Sequence, residues 1–203
     1  MANIPRLVGA PDFGKLVAPE ESLGKRLEGK RVLLTGTTKG VGRVTQELLC
    51  AQGAFVCGSG RSKGVAAEVA NELVAKGYKA AGFDVDLSDY EAVKKWVADC
   101  AELMGGIDIV INNASHPGMA PFGEMTPDIW AYGIQNELDL VYNVCNCAWP
   151  YLIEAGGGSI IITSSTVGLQ GSNSPQACHA AAKGACLALA RQLAAEGGPF
   201  GIR

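Results

Sequence analysis

The sequence lacks several features that would assign a chain to a large functional class. No apolar run approaches the roughly 20 residues that span a bilayer, and Pro5, Pro11 and Pro19 interrupt any signal-peptide layout at the start. Positive charge is not in excess, since 17 Lys and Arg stand against 20 Asp and Glu, and no basic stripe occurs. We therefore expect neither a membrane nor a nucleic acid as the partner of this chain.

A cysteine framework is also missing. The seven cysteines are odd in number and scattered through segments with helix and strand patterns, which is not typical of a disulfide scaffold. Cys145 and Cys147 form a C-x-C, but no second Cys or His pair at metal-ligand spacing accompanies them. We predict no metal site, and the unpaired thiols indicate a reducing compartment, most simply the cytoplasm.

What the sequence does contain is the composition of a compact globule, with 48% hydrophobic and 18% charged residues. Residues 1–28 are rich in Pro, Gly and charge, without a sustained period, and are predicted to be an N-terminal arm. Residues 29–203 are predicted to form one domain.

Strand and helix patterns alternate along residues 29–203. Apolar runs predict strands over 31–34, 54–57 (closed by Gly58 and Gly60), 79–83, 108–112 and 159–163. Amphipathic stretches predict helices over 44–51, 65–76, 90–104, 128–155 and 175–196. Five alternations predict an α/β fold, a Rossmann-like doubly wound parallel sheet with helices on both faces, in three layers.

A glycine-rich turn follows the first predicted strand. Gly36, Gly40 and Gly42 are spaced G-x-x-x-G-x-G, and a helix pattern follows them. A strand that breaks into such a turn aims backbone N–H groups and a helix N-terminus at one spot, which suits a pyrophosphate. The glycines leave room for the ligand and for close packing of helix on strand.

With these motifs the chain, from Leu27 to Arg203, resembles the short-chain dehydrogenase/reductase family. Its segment 35–42, T-G-T-T-K-G-V-G, matches the family's T-G-x-x-x-G-x-G, and 112–115, N-N-A-S, matches N-N-A-G except at Ser115. The resemblance implies hydride transfer between a nicotinamide cofactor and a small alcohol or carbonyl substrate. It also implies cofactor-binding residues at these positions: Gly36, Thr38, Lys39, Gly40, Val41, Gly42, Arg61, Asp86, Leu87, Asn112 and Lys183.

The resemblance also implies four catalytic positions, of which two depart from the family's pattern. The family serine corresponds to Ser165 and the lysine to Lys183, which also holds the ribose. The tyrosine of Y-x-x-x-K corresponds to His179, in H-A-A-A-K. The family's asparagine corresponds best to Glu137, with Asn136 one residue away. Glu137 is expected either beside Lys183 or facing outward as a plain helix charge, and Lys183 is expected to be the charged group beside the His179 ring.

The charged residues near the end of the second predicted strand predict which nicotinamide cofactor binds. An acidic side chain at the end of the second strand would bind the ribose of NAD. Gly60 and Arg61 occupy that place, and Lys39 lies in the glycine turn. Two cations without a carboxylate favour NADP(H) over NAD(H). His116, in the loop after the fourth strand, is either a substrate contact or simply exposed.

Several functional alternatives follow. The first is an NADP-dependent alcohol/carbonyl oxidoreductase; the second is an NADP(H)-binding protein without turnover; the third is a tyrosine-to-histidine variant of an active enzyme. A Ser–His–Lys hydrolase is disfavoured because no G-x-S-x-G elbow is present. Relatives continue beyond the position of Arg203 into a further strand and a substrate-covering region, so we expect a C-terminally truncated family member. The helices 128–155 and 175–196 are expected to form a homodimer or homotetramer.

Overall fold

The computed structural model describes residues 25–203, so most of the predicted N-terminal arm lies outside the described residues. Within residues 25–203 there is one sheet of five parallel strands, in the order β3-β2-β1-β4-β5. The strands are β1 (Arg31–Thr35), β2 (Phe55–Gly60), β3 (Ala80–Asp84), β4 (Ile109–Asn112) and β5 (Ser159–Ile162). The predicted doubly wound α/β fold is confirmed.

In residues 25–203, six α-helices connect and flank these strands. They are α1 (Gly40–Ala51), α2 (Val65–Ala75), α3 (Tyr90–Met104), α4 (Pro127–Ile134), α5 (Leu140–Glu154) and α6 (Ala177–Gly197). The start of α3 is fixed locally, since the Asp89 side chain accepts hydrogen bonds from the backbone N–H groups of Glu91 and Ala92. Ile202 and Arg203, at the end of the chain, run beside β5.

The central strand β1 is buried on both faces of the sheet, which explains why it is a continuous apolar run. Leu33 packs into the larger core with α3 and α5, whereas Val32 and Leu34 pack into the smaller core. All three side chains are fully buried, and each contributes about 1.5–3 kcal/mol of hydrophobic stabilisation. Both layers of helices are therefore held by alternate residues of one strand.

Two predicted boundaries next to glycines were wrong. Helix α1 begins at Gly40 instead of residue 44, and β2 continues through Gly58 and Gly60 instead of ending there. A Cβ on Gly58 would lie 2.5 Å from Thr37 Oγ1, and one on Gly60 would lie 2.3 Å from the Thr38 methyl group. These glycines are strand residues over which the turn packs, not strand terminators.

The predicted helix 128–155 is interrupted. Between α4 and α5 the backbone forms a π-helical turn, Gln135–Asp139, and Asn136 and Glu137 within it are buried. A π turn inserts an extra residue per turn and so changes which side chains face the interior. The helical period alone did not indicate this.

The strand order indicates at which edge of the sheet a ligand binds. The connection reverses direction between β1 and β4, and ligands in such sheets bind outside the carboxyl ends of the strands at that point. The glycine turn follows β1, Arg61 follows β2, Asp86 follows β3 and Asn113 follows β4. No helix among the described residues is long and apolar enough to cross a membrane.

Candidate active site

A cavity of about 450 Å³ opens at the carboxyl edge of the sheet. It is lined by seven of the predicted cofactor-binding residues: Gly36, Thr38, Lys39, Gly40, Arg61, Asp86 and Leu87. Sequence reasoning had assigned no cofactor role to several further lining residues, among them Ser59, Ser62, Ser88, Asn113 and Ala114. Polar residues at strand ends were the available signal for Ser59 and Asn113.

The other four predicted cofactor-binding residues, Val41, Gly42, Asn112 and Lys183, do not line the cavity. The Val41 side chain is 73% exposed, on the surface of α1. Gly42 is buried against the turn itself, where its Cα faces the Gly36 carbonyl group. Asn112 is buried with its Nδ2 3.2 Å from Cys145 Sγ, so the cavity-lining asparagine of the N-N pair is Asn113.

Hydrogen bonds fix the glycine turn to the end of β4. The Thr35 hydroxyl oxygen accepts from the backbone N–H groups of Asn113 and Ala114, each at 2.9 Å. The Asn113 amide donates to the carbonyl oxygens of Thr35 at 3.1 Å and Gly36 at 3.3 Å. Gly36 has φ +75°, a conformation that glycine adopts without strain. The turn is therefore held in shape before any ligand binds.

The N-terminus of α1 points an unneutralised positive dipole at the cavity. Lys39, its N-cap residue, makes no side-chain capping bond, and the first turn contains no acidic residue. Uncapped N–H groups at a helix start bind anions. Lys39 and Arg61 add two cationic side chains to the same cavity.

Asp86 is the carboxylate of this cavity. The Ser88 hydroxyl group and backbone N–H both donate to its Oδ1, at 2.7 and 3.0 Å, and lower the pKa of Asp86. The charge of Arg61 lowers it further. The other nearby acid, Asp84, accepts from the backbone N–H of Gly64 at 2.7 Å and does not line the cavity.

These features fit a nicotinamide dinucleotide. The volume lies in the range of small-molecule and cofactor sites, and the glycine turn with its uncapped helix fits a pyrophosphate. The Ser59 hydroxyl group is buried at the cavity wall and has no hydrogen-bond partner among the described residues. An unpaired buried hydroxyl group is costly, and a polar ligand in the cavity would supply a partner for it.

His116 lies at one end of the cavity. Its backbone N–H donates to the Asn136 carbonyl oxygen at 3.1 Å, and its Nδ1 is 2.9 Å from the Tyr132 hydroxyl oxygen. The two rings meet edge to face with centroids 5.6 Å apart. His116 is thus exposed but held in place, and its role in substrate contact stays a prediction.

Three of the four predicted catalytic residues, Glu137, His179 and Lys183, lie together, with Glu137 in the middle. Its carboxylate is fully buried and lies 2.8 Å (Oε1) and 2.9 Å (Oε2) from His179 Nδ1. Lys183 Nζ is 3.9 Å from Oε1, and the Ser115 hydroxyl group donates to the same oxygen. Of the two expected orientations, Glu137 has the inward one. The charged group in contact with His179 is this carboxylate, not the Lys183 ammonium group, because the π turn directs Glu137 between them.

Lys183 joins the cluster to the end of β5. It is 4% exposed, and its Nζ donates to the Thr163 carbonyl oxygen at 3.0 Å, while the neighbouring Ser164 hydroxyl group donates to the Lys183 carbonyl oxygen at 2.8 Å. Ser165 caps the short 3-10 helix Thr166–Gly168, accepting from Val167 N–H at 3.4 Å. No hydrogen bond joins Ser165 to Glu137, His179 or Lys183 in residues 25–203.

The fold and site define a class: a Rossmann-type protein with a dinucleotide cavity and a polar cluster at the ends of β4 and β5. Comparison with known proteins makes the class specific. A family model described as short chain dehydrogenase matches residues 30–203. The chain belongs to the short-chain dehydrogenase family of oxidoreductases, whose members bind a nicotinamide cofactor.

Individual relatives support the family assignment at moderate sequence identity. The chain is 31% identical over 176 residues to a 3-oxoacyl-(acyl-carrier-protein) reductase of Vibrio harveyi, covering 87% of this chain and 70% of the relative. It is 33% identical over 194 residues to an uncharacterised NAD-dependent oxidoreductase of Mycobacterium tuberculosis, covering 89% and 70%. A solved short chain dehydrogenase from Mycobacterium smegmatis superposes with a TM-score of 0.83 at 29% identity, covering 87% of this chain and 75% of that one.

Proposed function

We propose that this chain is an NADP(H)-dependent oxidoreductase that interconverts an alcohol and a carbonyl group. The choice of NADP(H) over NAD(H) rests on the residues at the end of β2. Gly60 has no side chain there, and Arg61 and Lys39 both line the cavity. A 2′-phosphate would meet two cations, whereas the ribose of NAD would lack the carboxylate that usually binds it at this place.

The roles of the other residues are assigned from their places in the cavity and in the polar cluster around Glu137. Gly36, Gly40 and the start of α1 would hold the pyrophosphate, and Asp86 and Leu87 would lie beside the adenine ring. When bound, the cofactor supplies or accepts the hydride. Ser165 would hydrogen-bond the substrate oxygen, His179 would exchange the proton, and Lys183 would hold the ribose.

Binding and turnover test the proposal separately. NADPH and NADH are titrated against the protein by nucleotide fluorescence, and we expect tighter binding of NADPH, with an advantage that shrinks as salt rises. Equal affinities would contradict the cofactor assignment. Nicotinamide absorbance is then followed with a panel of alcohols and carbonyls, using His179→Phe as the comparison. Equal turnover by the wild type and His179→Phe would exclude His179 from the chemistry.

One observation favours a second candidate, a protein that binds NADP(H) without turnover. The cavity lining ends at Ser115, His116, Asn136 and Leu140, and within residues 25–203 it does not include Ser165, His179 or Lys183. The two candidates share the binding result and differ in turnover, so binding without any substrate-dependent absorbance change supports the second.

We also propose a homodimer or homotetramer formed through the predicted helices 128–155 and 175–196, which contain α4, α5 and α6. Exposed apolar side chains support it: Trp130 on α4 is 39% exposed, and Tyr142 and Ile153 on α5 are 52% and 38% exposed. Light scattering coupled to gel filtration tests it, with Tyr142→Glu expected to shift the mass toward the monomer. We propose a cytoplasmic location as well, supported by seven cysteines that are all free.

A further inference from the structure

The three positions at which this chain departs from the family's motifs lie in one contact cluster. Ser115 stands where the N-N-A-G motif has glycine, Glu137 where the family has asparagine, and His179 where it has tyrosine. Glu137 is 22 residues from Ser115 and 42 from His179 in sequence, yet its carboxylate bonds both side chains. The three departures therefore act together as one polar unit.

The carboxylate at the centre of this unit is fully buried, so its environment must compensate the lost hydration. Ser115 donates a hydrogen bond, His179 Nδ1 lies within 2.9 Å of both oxygens, and the Lys183 ammonium group is 3.9 Å away. Lys183 is itself held by the Thr163 carbonyl oxygen. The arrangement suits an ionised carboxylate, which only accepts hydrogen bonds.

An ionised carboxylate against Nδ1 decides which nitrogen of the neutral ring carries the proton. Nδ1 must donate, and Nε2 is left as an acceptor. Nε2 has no hydrogen-bond partner among residues 25–203. The imidazole therefore has one nitrogen anchored in the protein and one available to a ligand.

We propose that Glu137 is a positioning residue that holds neutral His179 as the Nδ1–H tautomer, with Ser115 as a second anchor on Glu137. Nε2 is then the atom that exchanges the substrate proton. The proposal rests on the proposed oxidoreductase function. In alcohol oxidation the carbon gives its hydride to the oxidised cofactor, the O–H proton passes to Nε2, and the carbonyl product forms. Glu137 then faces an imidazolium ion, whose charge it stabilises.

The tautomer is measured directly by ¹⁵N NMR of the histidine rings, without cofactor or substrate. The sequence contains two histidines, so His116→Asn assigns both. We expect neutral His179 to show a protonated-type Nδ1 and an unprotonated-type Nε2. In Glu137→Met, which keeps the size and removes the acceptor, we expect this preference to be lost; Glu91→Met, an exposed site on α3, should leave it unchanged.

The wild-type spectrum keeps this test decisive if Glu137→Met fails to fold. A wild-type His179 that carries a proton on Nε2 at every pH up to about 9, as the neutral or the charged ring, overturns the proposal. This outcome is independent of whether the protein turns over any substrate, so it differs from failure of the proposed function.

Substitutions that restore the family's residues at positions 179 and 137 test by activity whether His179 and Glu137 are coupled. A tyrosine at position 179 would donate its hydroxyl proton to Glu137, so His179→Tyr alone should be a poor proton exchanger. The double variant His179→Tyr/Glu137→Asn should have a kcat at least about tenfold above that of His179→Tyr, equal to ~1.4 kcal/mol. Equal kcat values for the single and double variants would overturn the coupling. If no variant turns over, the proposed function fails and the NMR result alone decides the inference.

Discussion

Gly42, on the first turn of α1, faces the carbonyl oxygen of Gly36 across the glycine turn. A Cβ at position 42 would lie 2.0 Å from that oxygen and 2.6 Å from the Asn113 amide nitrogen. Gly42 is therefore required by packing within the protein, between α1 and the residues that follow β1 and β4. It shapes the glycine turn, which is the proposed phosphate site, without lining the cavity.

Gly42→Ala should lose both stability and nucleotide affinity. Overpacking at a rigid backbone contact costs about 1–3 kcal/mol in the free energy of unfolding, which urea denaturation measures. Displacement of Gly36 should weaken NADPH binding in the folded fraction. Val41→Ala, on the exposed face of the same turn, serves as the control and should change neither quantity appreciably. Wild-type stability in Gly42→Ala would show that the turn relaxes freely.

Arg61→Asp should reverse the cofactor preference. The substitution removes a cation from the cavity wall and places a carboxylate at the end of β2, where it repels a 2′-phosphate and can accept from a ribose hydroxyl group. We expect Kd for NADPH to rise far more than Kd for NADH. Lys63→Asp makes the same change in charge two residues away, outside the cavity lining, and should affect NADPH only slightly. Similar losses for both nucleotides in Arg61→Asp would contradict the assignment.

The Arg31–Asp108 pair should make stability depend on pH in the acid range. Arg31 donates to Asp108 through its backbone N–H and Nε, both at 2.9 Å, and through Nη2 at 2.8 Å. The Arg31 side-chain bonds lower the pKa of Asp108 in the folded state. The folded pKa thus lies below the unfolded value of about 3.9. The resulting stability is complete above that value and is lost as pH falls through the folded pKa.

Asp108→Asn should therefore lower the free energy of unfolding by about 1–3 kcal/mol at pH 7, and by less at about pH 2–3. Urea denaturation at both pH values measures the difference. Asp99→Asn breaks the exposed Lys95–Asp99 pair and should have little effect at either pH, because solvent screens that pair. A loss from Asp108→Asn that is the same at both pH values would rule out the linkage.

The cysteines should be unreactive in the native protein. All seven lie in the described part of the chain, and all are free and buried. Burial raises the pKa of Cys50 and of Cys145 to about 12, so little thiolate exists at pH 8. Alkylation followed by mass spectrometry should label few thiols in the native protein and seven in urea. Rapid labelling of Cys50 without unfolding would indicate local opening of the smaller core.

Local interactions let the sequence predict much of the fold. The apolar run Val32–Leu34 needs burial on both faces wherever it lies, and the sheet supplies both. Helix α3 has its predicted bounds of Tyr90 and Met104, because Asp89 caps one end and Gly105, with φ +76°, ends the other. The alternation of such elements predicted a parallel sheet, which the structure confirmed, and the family resemblance was confirmed by the family model. The N-terminal arm, the cofactor preference and the catalytic roles stay predictions.

The tertiary structure decided the details of the site, because those depend on groups distant in sequence. Asn113 and not Asn112 lines the cavity, since Asn113 bonds the turn after β1, 77 residues away. The period of the predicted helix 128–155 gave no sign of the π turn that brings Glu137 inward. Glu137 stays buried because Ser115, His179 and Lys183 reach it from a loop and another helix, and a sequence pattern cannot show that these partners meet. The sequence alone identified Glu137, His179 and Lys183 as candidate site residues; long-range packing determined that they touch.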